Sequence, residues 1–138
     1  MNGRDFLDTN VLVYAYERSN PDKKQIAREL VRRAVAGEFV ISTQVLAEFA
    51  STLLHKVQPA ISFERVIEEL DVLAPIPVIL PDAGIVRRAV DAQGAFGVHV
   101  YDGMIIAAAE RAGSKTIWSE DLNPGQKYFG VNVANPFR

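Results

Sequence analysis

Two hydrophobic patterns alternate along the chain. Short continuous apolar runs, at Phe6-Leu7, residues 39–42, residues 75–81 and residues 116–118, suit buried strands. Between them apolar residues recur at intervals of three and four, as a helix with one covered face requires. The stretch after Phe6-Leu7 is ambiguous by pattern, and we read it as a strand ending near Asp8 followed by a helical turn. Asn20-Pro21 is a helix start, a capping side chain with proline at the first helical position, and Ile26, Leu30 and Ala34 mark one face up to a stop at Gly37.

Thr43 is positioned to cap a helix with Leu46, Phe49, Leu53 and Val57 on one stripe. Ser62 opens the cleanest amphipathic segment, which is expected to bury Phe63, Val66, Ile67, Leu70 and Leu73. The proline-punctuated run from Pro75 to Pro81 predicts a short buried strand, and Asp82 can cap a helix running to about Gly94. After a flexible Gly94 to Gly97 another helix begins near Asp102 and stops at Gly113. Residues 121–125 carry turn chemistry, and a weak fifth strand falls at 131–133.

Short apolar strands alternating with helices predict an α/β fold, a parallel sheet covered on both faces through right-handed crossovers. The 138 residues suffice for one core and are few for two, so one domain over 1–138 is expected. With 49% hydrophobic and 23% charged residues the chain falls in the globular range, away from disordered and fibrous classes. Fifteen basic residues against 17 acidic ones, a net charge of -2, argue against coating nucleic acid by bulk charge and leave a local basic patch open. The absence of cysteine excludes disulfides and thiolate metal sites and is compatible with a reducing compartment. No segment approaches the ~18 apolar residues of a membrane span, and the first residues lead straight into Phe6; a soluble, cytoplasmic protein is expected.

The chemistry centres on acids. Asp8 lies in an apolar run, where an ionised carboxylate costs free energy unless hydrogen bonds, a partner charge or a metal ion compensate it. In open parallel sheets the ligand crevice lies beyond the carboxyl ends of the strands. Asp8, Glu48 and Asp121 each follow a strand-like run, and Asp102 begins the helix leading to Thr116, so four acids can meet at one rim. Four carboxylates there cannot all stay ionised without raised pKa values or a cation. An all-oxygen donor set favours Mg²⁺ or Mn²⁺, ions that polarise phosphate oxygens and activate water. Each acid also has a simpler reading: Asp8 and Asp121 as turn acids, Asp102 as a helix cap, Glu48 as a solvated residue off its apolar stripe. Their joint placement, rather than any one of them, argues for a site.

The stretches DTNVLVYA at 8–15, STQVLAEF at 42–49, YDGMIIAAA at 101–109 and WSEDLNPGQ at 118–126, with NPF at 135–137, resemble the PIN domain family. The resemblance is in particular to the toxin ribonucleases of VapBC toxin–antitoxin pairs, and it covers the chain from end to end. It implies a three-layer α/β/α domain with a mainly parallel sheet and a Mg²⁺- or Mn²⁺-dependent endoribonuclease site, in which Asp8, Glu48, Asp102 and Asp121 are the metal-binding acids. Ser119 would support the site, and Thr9 and Asn10 would shape the strand-end turn. It further implies an RNA substrate, a cognate antitoxin and a homodimer formed through helical surfaces. Gly103 stands where members more often carry alanine, a change that weakens the helix slightly. Glu120 is either a competing ligand or a solvated neighbour of Asp121.

Other residues have plainer readings. His55 and His99 are ordinary polar residues rather than general bases, and Lys23-Lys24 and Arg32-Arg33 are the wet side of a helix. Arg87, Arg88, Lys56 and Lys127 are candidates for RNA contacts at the rim, although solvated faces explain them equally well. Asn10 stands where a phosphoaspartyl phosphatase needs a second Asp, and no Asp ends the runs where a response-regulator receiver needs its acceptor. The remaining alternatives to a toxin are a housekeeping PIN-domain nuclease and an inactive PIN-like binding module.

Overall fold

The computed structural model describes residues 3–57 and 59–138; Met1 and Asn2, where the sequence opens, lie outside the described residues. β1 (Asp5–Leu7) leads into α1 (Thr9–Tyr14) and α2 (Pro21–Val35), then β2 (Phe39–Ser42), α3 (Thr43–His55) and α4 (Phe63–Leu73). β3 (Val78–Ile79), α5 (Ala83–Phe96), α6 (Val100–Arg111), β4 (Thr116–Trp118), β5 (Lys127–Tyr128) and β6 (Val131–Ala134) complete the chain. The strand order is β3-β2-β1-β4-β6-β5. All pairs are parallel except β5 with β6, a short antiparallel hairpin that the sequence pattern had not revealed.

The core is built from the apolar runs. Phe6, Leu7, Ile41 and Ile117 are fully buried in the central strands, with Phe49 and Leu53 of α3 and Ile106 of α6 packed on them. β1 lies between β2 and β4, which is why its two consecutive buried residues, Phe6 and Leu7, are apolar on both faces. β3 is an edge strand and only half-buried, where a buried strand had been expected. Prolines flanking it fit an edge, where a missing N–H leaves no ladder bond unmade.

Local capping follows the expected chemistry in three helices: Asn20, Ser62 and Asp82 accept from the backbone N–H of Lys23, Arg65 and Ile85. α3 is capped one residue earlier than predicted, by Ser42 accepting from Val45, rather than by Thr43. α5 runs through Gly94 to Phe96 and ends at Gly97, whose φ of 73° is left-handed, so the predicted flexible Gly94 to Gly97 segment is mostly helix. On α2 the covered residues are Ala27, Leu30 and Ala34, with Ile26 at the margin of solvent.

The largest departure is α4. Its apolar stripe was expected to be inside, yet Phe63 is 73% and Ile67 58% exposed, while Val66, Glu69 and Leu73 are buried. The helix is turned so that Glu69 accepts a hydrogen bond from the Tyr16 hydroxyl and pairs with Arg65 at 2.8 Å. Burial and the neighbouring Glu69 carboxylate push the Tyr16 hydroxyl pKa well above its ordinary value, so Tyr16 stays protonated and donates. A buried carboxylate needs such partners, and the orientation that satisfies it leaves Phe63 and Ile67 outside.

Candidate active site

Asp8 ends β1 and caps α1 in one step. Its backbone N–H still bonds the Trp118 carbonyl at 3.0 Å, and its Oδ1 accepts from Thr9 N at 2.8 Å. Its Oδ2 accepts from Ser119 Oγ at 2.8 Å. Burial pushes this carboxyl from the ordinary 3.8 up to about 6, against the pull of the Ser119 and Thr9 hydrogen bonds, and the nearby Asp121 and Glu48 carboxylates add to the rise.

Ser119 joins the first strand end to the fourth. Fully buried, it donates to Asp8 and accepts from the N–H groups of Asp121 and Leu122 at 3.1 and 3.3 Å, which curls the chain after β4 back over the rim. Asn10 completes the link. Its Nδ2 donates to Asp121 Oδ2 at 3.1 Å and, more weakly, towards Ser119 Oγ at 3.3 Å and Asp8 Oδ2 at 3.4 Å, while its Oδ1 accepts from Glu120 N at 3.1 Å. The amide hydrogens thus lie between two carboxylates that would otherwise repel.

Glu48 is turned into the cleft rather than left in bulk solvent. Thr9 Oγ1 donates to it at 2.9 Å, and Gln44 Nε2, which bonds Tyr101 O at 3.0 Å, lies 3.4 Å from its other oxygen. Gln44 therefore ties α3 to the start of α6, a role without a signature in the sequence.

Asp102 is not the cap of α6. His99 is, its Nδ1 accepting from Tyr101 N at 3.1 Å, so Asp102 lies in the first helical turn with its carboxylate uncommitted to capping. Its carboxyl is raised by partial burial and by Asp121, with His99 opposing.

Asp8, Glu48, Asp102 and Asp121 all line one open hollow of about 410 Å³, together with Thr9, Asn10 and, along α3, Ser51, Thr52 and Lys56. Among the described residues no three acids or histidines converge closely enough to hold an ion in the side-chain positions seen. The donor chemistry nevertheless suits a hard divalent cation: oxygen ligands facing a shared hollow, two of them with raised pKa values that positive charge would lower.

The neighbours of the acids sort clearly. Glu120, read as a competing ligand or a solvated neighbour, is not on the wall of the hollow: it accepts from Tyr14 Oη at 2.5 Å and pairs with Lys23, which lies over the Tyr14 ring. Lys23 is accordingly part of this link rather than wholly on the wet side of α2. Of the basic candidates, Lys56 lines the hollow, whereas Arg88 forks onto Glu110 at 2.9 and 3.0 Å between α5 and α6, and Arg87 and Lys127 are exposed away from the lining. His55 bonds back to Ser51 O at 2.9 Å on the helix surface.

The PIN domain profile matches residues 6–129. The chain belongs to the PIN domain family. Among solved structures it is similar to a toxin–antitoxin complex from Klebsiella pneumoniae, at 17% identity and a TM-score of 0.69, over 96% of this chain and 97% of that one. It is also similar to VapBC2 from Rickettsia felis bound to a promoter DNA fragment, at 18% identity and a TM-score of 0.65, over 95% and 97%. A third is VapC20 of Mycobacterium tuberculosis, described as a sarcin–ricin loop cleaving toxin, at 14% identity and a TM-score of 0.66, over 85% and 91%. No curated protein matches the sequence. The shared PIN fold accounts for the six-stranded sheet and for the rim on which the acids of this chain lie.

Proposed function

We propose that this PIN domain is a metal-dependent endoribonuclease. The observation that carries the reading is that four carboxylates, from the β1 end, α3, α6 and the β4 end, line one hollow, with Asp8 raised to about 6. Asp8 and Asp102, with Glu48 and Asp121, would hold Mg²⁺ or Mn²⁺. A divalent ion bound there supplies polarisation of the scissile phosphate and a lowered pKa for the attacking water. The protein's own contribution is positional: Ser119 and Thr9 fix both oxygens of Asp8, Thr9 Oγ1 aims Glu48, and Asn10 keeps Asp121 on the Asp8 side. No side-chain nucleophile is required.

Likeness to structures described as toxin–antitoxin complexes supports the further reading that the chain is the toxin of such a pair, with a cognate antitoxin as partner. A housekeeping nuclease would carry the same centre, and a neighbouring gene for a small antitoxin distinguishes the two. No helix among the described residues is long and apolar enough to cross a membrane. A homodimer is part of the proposal, and the exposed Phe63 and Ile67 offer it an apolar face. Sedimentation should show a dimer for the wild type and a monomer for Ile67→Asp; identical masses would remove this face from the interface.

The central test is chelation and reconstitution. Protein stripped of metal should not cleave single-stranded RNA, and cleavage should return on adding Mg²⁺ or Mn²⁺. Cleavage that survives chelation, or no cleavage in any metal, would reject the reading.

A further inference from the structure

The acidic hollow does not end at the acids. Lys56, at the C-terminal end of α3, also lines a second hollow with Glu17, Arg18 and Val57. Arg18 and Val57 in turn line a third, which reaches Ser62 and Arg65 at the start of α4. Tyr16 and Arg65 continue into a fourth, which ends against Arg28 of α2. Through these shared walls the surface is grooved from the four carboxylates to Arg28. The helical rise separates the Lys56 and Glu48 backbones by about 12 Å along α3.

Cations recur along this line, with Lys56, Arg18, Arg65 and Arg28 on the walls of successive hollows. Elsewhere Lys23 is held by Glu120, Arg32 by Glu29, Arg33 by Glu38, Arg88 by Glu110 and Arg111 by Asp82, whereas Arg87, Lys115 and Lys127 form no ion pair among the described residues and share no hollow with the acids. Along the groove Arg65 is held by Glu69, but Lys56, Arg18 and Arg28 are exposed and form no ion pair among the described residues. Glu17 is the acid beside them in the second hollow, and it too is unpaired. Three free cations strung outward from an acidic centre suit a polyanion whose one phosphate lies at that centre and whose next phosphates run away from it. The aromatic ring on the path, Tyr16, is packed edge-on against Phe49 and bonded to Glu69, so it offers no free platform for stacking a base.

We propose that the groove from Lys56 through Arg18 to Arg28 is a backbone track for single-stranded RNA on one side of the cleavage point, held by phosphate contacts and indifferent to base identity. It rests on the nuclease reading above, for which it names the substrate path. Binding of a fluorescein-labelled, mixed-sequence single-stranded RNA to chelator-treated protein tests it, without depending on cleavage. The triple variant Lys56→Ala, Arg18→Ala, Arg28→Ala is compared with wild type and with a control, Arg87→Ala, Lys115→Ala, Lys127→Ala, drawn from cations off the track.

The track variant should bind about tenfold more weakly, and the slope of log affinity against log salt should fall by about 2, at roughly 0.7 for each lost phosphate contact. The control should keep most of the wild-type affinity and slope. Equal losses in both triple variants, no loss in the track variant, or a wild type that does not bind this RNA would each overturn the track. So would a track variant that loses a protein partner but keeps RNA affinity. Failure of the nuclease reading appears separately, as absent metal-dependent cleavage with the binding differences intact.

Discussion

Asp8→Asn should abolish metal-dependent cleavage, by roughly a thousandfold or more, and at the same time make the metal-free protein more stable above pH 6. The two effects share one cause. Asp8 is 7% exposed, and burial together with Asp121 and Glu48 raises its pKa from 3.8 to about 6. The metal-free folded protein therefore holds this proton more tightly than the unfolded chain does. Its stabilising effect is complete below about pH 3.8 and is lost as the pH rises through about 6, above which the ionised carboxylate costs the fold on the order of 3 kcal/mol. Asparagine keeps the cap on Thr9 N and carries no charge.

The melting temperature of the metal-free variant should exceed that of the wild type by about 10 °C at pH 8, and the difference should vanish near pH 4. Added Mg²⁺ should raise the melting temperature of the wild type and leave that of the variant nearly unchanged. A variant that cleaves normally refutes the assignment of Asp8 as a ligand. A variant no more stable than wild type at pH 8 refutes the electrostatic account of its burial.

Gly103→Ala should lower stability by about 2 kcal/mol and activity about tenfold, although alanine is the better helix former by roughly 1 kcal/mol. A Cβ at residue 103 would lie 2.6 Å from Ala89 O and 3.0 Å from Ala89 Cα, atoms of the α5 backbone that cannot rotate away. α5 and α6 are packed closely here, and Ala89 is fully buried. Relief requires α6 to move outward at its first turn, the turn that carries Asp102. Thermal melts and steady-state cleavage check both halves. A melting temperature at or above that of the wild type would mean that propensity outweighs the contact. The sequence suggested only a slight weakening of a helix, because propensity is visible in one residue and a contact 14 positions away is not.

The same division runs through the candidate site. The four acids are legible because each is tied to a strand end or a helix start, and the strand-end rule for parallel sheets sends them to one rim. What escaped the sequence were choices between neighbours. Asp102 and His99 both suit a helix start, and the left-handed turn at Gly97, which lets His99 arrive first, decides between them. Glu48 lies off the apolar stripe, which by periodicity means solvent; the Thr9 hydroxyl, 39 residues earlier, turns it inward. Glu120 and Asp121 are adjacent acids; Lys23 and Tyr14 take the first carboxylate, while Asn10 holds the second and Ser119 its backbone N–H.

Local chemistry by itself determined the order and kind of the main elements, most of the caps and the apolar runs of the sheet, because each depends on residues within a turn or two. It also carried the PIN domain motifs, since these are short stretches in fixed order. Only the tertiary structure decided which face of α4 is covered, because a buried Glu69 had to find Tyr16 and thereby turned Phe63 and Ile67 outward. It alone joined Asp8 to Ser119 across 111 positions, for a hydrogen bond between two strand ends exists only once the strands lie side by side.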